Sequence, residues 1–408
     1  MGGLRSWAVT AALAVVATSA GTAETVAAPV AAGAPAVVSG DASVPVTSRI
    51  AGRDRIETAV AVSREAFPAR FTTAGSVYLA RADVLVDAVA AGTLVDGPVL
   101  LVPSCGRVPR VVLDEVARLA PARVVGIGSA GAVCDQVVRD AAAGRPRDRL
   151  AGSDRFGTAI AVARERARQG DVTEVYLATG EDSPDPVVGG QLTRGPILLA
   201  NTRQNVIDRV RSAVDELRPR RVVALGSAAV VPDSVLETAA GGLQVGRLGG
   251  GDRFGTGAAI ASREFPADAP VVYLARGDVY ADAVAAGALR DGPLLLVNTC
   301  ALPAAARERI AYARPAKVVA LGSESVVCDD VLQAAVTART TSGGRILAVD
   351  HDETGWSHTD SPEAGALSRD GRYAVFRADA AAVLPPGQVP PGATDSIFLR
   401  DRRTGRKR

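Results

Sequence analysis

Histidine and aromatic residues are scarce in this chain of 408 residues. The sequence has two histidines, and aromatic residues make up 4% of it. So few aromatic rings argue against binding of single-stranded nucleic acid, which relies on stacking of bases on such rings. The formal net charge of +2 gives no basic excess that would attract nucleic acid or an anionic membrane. We therefore expect no nucleic-acid partner.

The common catalytic motifs are also missing. No G-x-S-x-G, H-E-x-x-H or S-x-x-K pattern occurs in the sequence. His351 and His358 lie close to Asp350, Asp352 and Asp360, but their spacing fits no strong metal template. We interpret that segment as a polar loop. We expect no metal, no cofactor and no enzymatic activity, although an acid pair among the many carboxylates stays open as an alternative.

No apolar run is long enough to span a bilayer, for which about 20 residues are needed. Near the N-terminus, Arg5 precedes an apolar run over residues 7–17, and small residues follow it. This order is typical of a secretory signal peptide, which we predict over residues 1–23. An Ala/Pro/Val-rich linker follows over residues 24–46. The mature protein is then predicted to be secreted, with no membrane span.

Internal repetition is the main feature of the rest of the chain. Four phrases recur three times in the same order. Their first residues are Arg49, Arg149 and Arg247 (R-[IL]-[AG]-G-x-D-R), Val77, Val175 and Val272 (V-Y-L-A), Gly97, Gly195 and Gly292 (G-P-[VIL]-L-L), and Val124, Val222 and Val318 (V-V-[GA]-[IL]-G-S). The period of roughly 100 residues suits a small domain rather than a solenoid repeat. We predict three modules over residues 47–144, 145–242 and 243–340.

The same secondary structure is predicted for each module. The apolar, β-branched runs are short and lack strict alternation, as is typical of parallel strands buried on both faces. Amphipathic stretches lie between them, for example over residues 107–119. Strands that alternate with helices predict an α/β fold with open parallel sheets, of about four strands and four helices per module. Asp54, Asp154 and Asp252 precede helical patterns and are predicted to cap them.

The four phrases together resemble the cell wall binding repeat 2 family over about residues 49–338. That family's pattern starts with R-L-A-G-x-D-R-x-x-T-A. It continues with a strand, an aspartate and small residues at a helix start, a P-I-L-L-type strand and a strand that ends in glycine. The resemblance implies Rossmann- or Toprim-like modules, three of them around a pseudo-threefold axis. It further implies non-covalent attachment to an anionic, teichoic-acid-like polymer of a Gram-positive cell wall.

Repeat 2 departs from the family pattern at one position. It reads Asp185-Pro186, where its sister copies read Asp87-Ala88 and Asp282-Ala283. Proline still fits the first turn of a helix, so we expect the fold to be kept there. The resemblance does not carry a ligand contact over to that position.

The second arginine of the first phrase, which directly follows the capping aspartate in each repeat, is the best candidate for binding an anionic polymer. Guanidinium groups can grip phosphates or carboxylates in a bidentate manner. The alternative, which we favour, is an ion pair within each module with Asp87, Asp185 or Asp282. The residues selected as polymer-binding candidates are Arg55, Arg155, Arg253, Asp87 and Asp282.

A glycine fingerprint follows one of the predicted strands. Gly126-Ile-Gly128-Ser-Ala-Gly131 matches the G-x-G-x-x-G pattern of dinucleotide sites. The sister copies keep only the central glycine, at Gly226 and Gly322. We therefore favour a tight turn between strand and helix over a phosphate site.

The repeats also predict how the cysteines pair. Repeats 1 and 3 carry two cysteines each at equivalent positions, namely Cys105 and Cys134, and Cys300 and Cys328. Repeat 2 has Arg203 and Pro232 there, so both cysteines are absent together. Positions that are cysteine together or not at all are most simply bonded partners, and export places them in an oxidising compartment. We predict the bonds Cys105–Cys134 and Cys300–Cys328, rather than free thiols or a metal site.

The last segment differs from the repeats. Residues 368–376 and 395–405 alternate apolar and polar side chains and resemble one blade of a TolB-like β-propeller. Known propellers close with roughly four to eight blades, so we interpret residues 345–408 as an incomplete β segment.

Wall anchoring is the function that the sequence favours. Its alternatives are an enzyme that acts on a sugar or nucleotide at the carboxyl edge of a sheet, and a purely structural surface-layer protein. A catalytic site usually needs unique polar groups in one copy, whereas these copies differ mainly in their cysteines.

Overall fold

The computed structural model describes residues 44–68, 74–181, 185–266, 268–278 and 281–340, and the backbone of three strands nearer the C-terminus. Fifteen strands and eleven α-helices lie in these ranges. The predicted signal peptide, most of the linker and both histidines fall outside the described residues. No helix in the described part of the chain is long and apolar enough to cross a membrane.

The three repeats contain the same elements in the same order. The first has β1 (Val46–Ile50), α1 (Arg55–Ala66), β2 (Ser76–Arg81), α2 (Val86–Ala91), β3 (Val99–Val102), α3 (Arg110–Leu119), β4 (Arg123–Ile127) and α4 (Asp135–Ala142). The second has β5 (Arg147–Leu150), α5 (Arg155–Arg168), β6 (Glu174–Thr179), a 3-10 helix (Asp185–Gln191), β7 (Ile197–Ala200), α6 (Gln204–Leu217), β8 (Arg221–Leu225) and α7 (Asp233–Ala240). The third has β9 (Gln244–Leu248), α8 (Arg253–Glu264), β10 (Val271–Arg276), α9 (Ala281–Ala285) with a short 3-10 helix (Ala286–Ala288), β11 (Leu294–Val297), α10 (Ala304–Ala313), β12 (Lys317–Leu321) and α11 (Asp329–Thr340).

Each module forms a four-stranded parallel sheet, as the sequence predicts. The strand orders are β3-β2-β4-β5, β7-β6-β8-β9 and β11-β10-β12-β1. The last strand of each sheet therefore comes from the following repeat. For the third sheet that strand is β1, the first strand of the described chain, in which Val46 lies opposite Lys317 and Ile50 opposite Leu321. The sheets are thus offset by one strand from the sequence repeats.

The strands are short and apolar because both faces of each sheet are covered. All four residues of β3, β7 and β11 are buried, so these strands show no alternation. The tyrosines of the V-Y-L-A phrase, Tyr78, Tyr176 and Tyr273, are at most 2% exposed. Each tyrosine hydroxyl still donates a hydrogen bond to a carboxylate, of Asp96, Glu174 and Asp291 respectively. A buried hydroxyl without such a partner would destabilise the fold.

Three aspartates begin the first helix of each repeat, as predicted. Asp54 Oδ1 accepts hydrogen bonds from the backbone N–H groups of Ile56 and Glu57, both at 2.9 Å. Asp154 and Asp252 accept in the same way from the residue three positions later, at 2.8 Å. Such caps satisfy N–H groups that have no partner within the helix.

Three glycines meet where the modules converge on a pseudo-threefold axis. A Cβ atom added to Gly92 would lie 3.0 Å from the Cα of Gly190, and one added to Gly190 would lie 2.9 Å from the Cα of Gly287. One added to Gly287 would lie 2.6 Å from the carbonyl oxygen of Gly92. The backbones approach so closely that no side chain fits, which gives these glycines a packing role.

A separate antiparallel sheet follows the modules. Its strands are β13 (Glu363–Leu367), β14 (Tyr373–Ala378) and β15 (Ser396–Asp401), in the order β13-β14-β15. The short C-terminal β segment is therefore present, while its relation to a propeller blade stays a prediction.

Candidate ligand sites at the junctions between modules

The modules contact each other at three junctions. We call the contact between the first and second modules the first junction, that between the second and third the second junction, and that between the third and first the third junction. At each of them the first helix of one module packs on the short helix of the preceding module: α5 on α2, α8 on the 3-10 helix Asp185–Gln191, and α1 on α9.

The repeated arginines stand at these junctions, at the carboxyl edges of the sheets. Arg55 Nη1 donates a hydrogen bond to the carbonyl of Ala82, directly after β2, at 2.9 Å. Arg155 and Arg253 donate in the same way to Gly180 at 2.7 Å and Gly277 at 2.9 Å. Open parallel sheets bind ligands outside the carboxyl ends of their strands, so this is the edge where a site is expected.

Two of these arginines, Arg155 and Arg55, face a carboxylate of the preceding module. Asp87 interacts with Arg155 and accepts a hydrogen bond from Thr158, both in the second module. Asp282, in the third module, interacts with Arg55 of the first. For Asp87 and Asp282 the interpretation of an ion pair within one module is therefore wrong, whereas the side chain of Asp185 lies outside the described part of the structure. The reason is that the first helix of a module packs on its neighbour's short helix, and this packing carries the arginine across the junction.

The two carboxylates differ in how far neighbouring groups offset the effect of burial on their pKa values. Burial raises the pKa of Asp87, and Arg155 and Thr158 offset part of that rise. Asp282 is only 5% exposed, and burial raises its pKa to about 6 against a weak opposing effect of Arg55. Its Oδ1 atom is buried and accepts no hydrogen bond from the residues that the structure describes. Buried carboxylate oxygens are normally paired, so this atom requires an explanation.

The glycine of the V-V-x-x-G-S phrase leaves room for this carboxylate. Gly128 and Gly322 have φ angles of +87° and +93°, a conformation that favours glycine. A Cβ atom on Gly322 would lie 2.8 Å from Asp282 Oδ2, and one on Gly128 would lie 3.0 Å from Asp87 Oδ2. The next helix, α4, begins only at Asp135. The G-x-G-x-x-G sequence therefore forms a tight turn, which is the interpretation that we favoured over a phosphate site. This turn lies against the carboxylate of an aspartate.

A second set of arginines, which the sequence analysis did not select, joins neighbouring modules. Arg149 donates to the carbonyl of Gly128 at 2.8 Å and to Asp135 Oδ1 at 2.6 Å. Arg247 and Arg49 make the same two bonds, to Gly226 and Asp233 and to Gly322 and Asp329. The repetition of both the arginine and the aspartate in all three copies was a signal that could have identified these pairs.

Ion pairs also cross the junctions near the amino ends of the strands. Arg123 pairs with Glu165 at the first junction, and Lys317 with Glu65 at 3.5 Å at the third. At the second junction the polarity is reversed, because Arg263 comes from the helix and Glu174 from the sheet, at 2.5 Å. The three interfaces are thus not interchangeable.

Two disulfide bonds lie at the same carboxyl edge as the repeated arginines. They join Cys105 to Cys134 and Cys300 to Cys328, with Cα separations of 5.1 and 4.9 Å. These are the pairs that the repeats predict. In the second module Pro232, equivalent to Cys134, directly precedes α7.

A polar depression of about 470 Å³ lies beside the edge strand β5. Its lining consists of Asp135, Val138, Arg139, Arg147, Asp148 and Arg149. Small-molecule pockets are mostly apolar, so this lining does not suit a cofactor. In the described ranges, no group of three or more His, Cys, Asp or Glu side chains is placed to hold a metal ion.

Comparison with solved structures shows a shared fold. Cwp6 from Clostridium difficile superposes with a TM-score of 0.64 at 22% identity, over 72% of this chain and 48% of that one. Cwp8 from Clostridium difficile gives a TM-score of 0.61 at 20% identity, over 72% of this chain and 51% of that one. The chain thus spans about half the length of these proteins. No curated protein sequence matches it significantly.

Comparison with protein families identifies the repeats themselves. The cell wall binding domain 2 family (CWB2) matches residues 49–138, 149–236 and 247–332, which is well over half of the chain. The three matches begin at the first arginine of each repeated phrase. The chain therefore belongs to the cell wall binding domain 2 family and carries three copies of that domain.

Proposed function

We propose that the chain is a secreted, wall-associated protein that its three domains hold non-covalently on the cell wall by binding an anionic, teichoic-acid-like polymer. The observation that carries the proposal is the arginine at the carboxyl edge of each junction. Each guanidinium donates one hydrogen bond to a backbone carbonyl, and this holds for Arg55, Arg155 and Arg253. A guanidinium has five N–H donors, so further donors stay available for phosphate or carboxylate oxygens.

Three repeated junctions suit a polymer better than a small ligand. Once one repeating unit is bound, the next binds from a high effective concentration, so weak subsites give firm attachment together. The two disulfides support export, because such bonds persist in oxidising compartments.

Sedimentation with sacculi tests this proposal. Purified protein should co-sediment with native Gram-positive sacculi, and added salt should weaken binding because it screens charge pairs. Binding should fall on sacculi stripped of secondary wall polymers. Undiminished binding to stripped peptidoglycan would contradict the anionic-polymer proposal, and turnover of a sugar or nucleotide would favour an enzyme.

A matched pair of triple variants separates the candidate sites from net charge. Glutamine at Arg55, Arg155 and Arg253 should abolish most of the binding to native sacculi. Glutamine at Arg110, Arg139 and Arg307, which are exposed on helices α3, α4 and α10, removes the same charge and should leave binding nearly intact. Equal losses in both variants would show that only net charge matters.

A further inference from the structure

The three junctions are quasi-equivalent in sequence but differ in their polar groups. At the first junction, Asp87 is half-buried and accepts a hydrogen bond from Thr158. At the second, the repeat reads Asp185-Pro186 instead of aspartate and alanine. At the third, Asp282 is buried, and its Oδ1 atom finds no donor among the described residues. Of the two junction aspartates whose side chains the structure describes, Asp87 and Asp282, only Asp282 thus has an oxygen without a hydrogen-bond donor.

An unpaired buried carboxylate oxygen weakens the fold that contains it. Removing the oxygen from water costs free energy, and no hydrogen bond offsets that cost. The cost remains as long as the carboxylate is charged. Buried polar atoms without a hydrogen-bond partner are expected at functional sites. At such a site a ligand supplies the missing partner. Asp282 is therefore better explained by a ligand than by folding.

The surroundings of Asp282 indicate which chemistry the ligand brings. Arg55 is exposed, whereas Arg155 and Arg253 are half-buried, so the third junction offers the most accessible guanidinium. Two serine hydroxyls, of Ser323 and Ser325, lie 2.9 Å apart on the turn that follows Gly322. A carboxylate acceptor, a guanidinium and hydroxyls together suit a sugar or polyol that carries both hydroxyl groups and an anionic group.

We propose that the third junction is the principal polymer subsite, where Asp282 accepts a hydrogen bond from a ligand hydroxyl and Arg55 holds the neighbouring anionic group. This inference rests on the proposed function and assigns unequal weight to the three junctions. The pairing of β1 with β12 brings Arg55 to the third module, because Arg55 begins α1 five residues after the end of β1. Arg49 reinforces that closure through its bonds to Gly322 and Asp329.

Sedimentation of the full chain with native Gram-positive sacculi tests the proposal. The variant Asp282→Asn keeps the shape of the side chain but loses the charge that strengthens the hydrogen bond, and we expect it to bind about 10-fold more weakly. Asp87→Asn should lose less than about 3-fold, because Thr158 occupies that carboxylate. Asp171→Asn, which changes an exposed aspartate three residues before β6, serves as the control for charge.

A second pair of variants changes the arginines and leaves Asp282 unchanged. Arg55→Gln should weaken binding more than Arg253→Gln, whose junction contains Pro186. Binding of Asp282→Asn within twofold of the unchanged protein, or an equal or larger loss for Asp87→Asn, would overturn the inference. Failure of the unchanged protein to bind native sacculi would instead contradict the proposed function itself.

Discussion

Replacing Asp282 by asparagine should stabilise the fold at neutral pH. Burial raises the pKa of Asp282 to about 6, against 3.8 for an unperturbed aspartate, and Arg55 is the charge that opposes this rise. The folded state therefore holds this proton more tightly than the unfolded state does. The free energy of unfolding is highest below pH 4 and falls as the pH rises towards 6, and above that the loss stays constant.

The size of the effect follows from the difference in pKa. About two pKa units at about 1.4 kcal/mol each give a cost of about 3 kcal/mol above pH 7. At pH 4.5 the same relation gives a cost of about 1 kcal/mol. The advantage of Asp282→Asn over the unchanged protein should thus grow by about 2 kcal/mol between pH 4.5 and pH 7.5.

Urea denaturation at the two pH values measures this difference. The control is Asp171→Asn, since that carboxylate is exposed and should show no such growth. If the advantage of Asp282→Asn stays constant or shrinks as the pH rises, the buried carboxylate is not the destabilising group that the geometry indicates. If Asp282→Asn gains stability here and loses binding in the sedimentation assay, Asp282 serves ligand binding rather than stability.

Two further predictions concern the packing of the modules. Gly190→Ala should destabilise the protein by about 1–3 kcal/mol in urea denaturation, because its Cβ would lie 2.9 Å from the Cα of Gly287. The control is Gly251→Ala, since a Cβ there meets none of the described residues within 4 Å; equal losses would contradict the close approach. Reducing the disulfides should lower the melting temperature, since each closes a loop of 29 or 28 residues and contributes about 3–4 kcal/mol. An unchanged melting temperature after complete reduction would refute that contribution.

Local features were predictable from the sequence because each copy repeats them. The caps at Asp54, Asp154 and Asp252 need only the next three residues, and three of the four strands of each sheet follow from short apolar runs. The cysteine pairs were predictable because Arg203 and Pro232 replace both cysteines of repeat 2 together.

Contacts between modules were not predictable in the same way. A repeat has no natural beginning, so the sequence does not show that β5 pairs with β4 rather than with strands of its own repeat. The same ambiguity led to the wrong interpretation of Arg155, which faces Asp87 of the preceding module. Asp87 and Asp282 differ in how deeply they are buried and in whether a threonine hydroxyl donates a hydrogen bond to them. The repeated phrase shows neither property.

The pairing of β1 with β12 makes the order of the three domains cyclic. β1 meets β12 in the same register as β5 meets β4 and β9 meets β8. Between the first two repeats, only residues 143–146 connect α4 to the next strand. A link of similar length from the end of α11 to β1, with new termini cut before β5, would give a circular permutant with the same three sheets. The three sheets therefore do not depend on which of the connections between neighbouring repeats is left open.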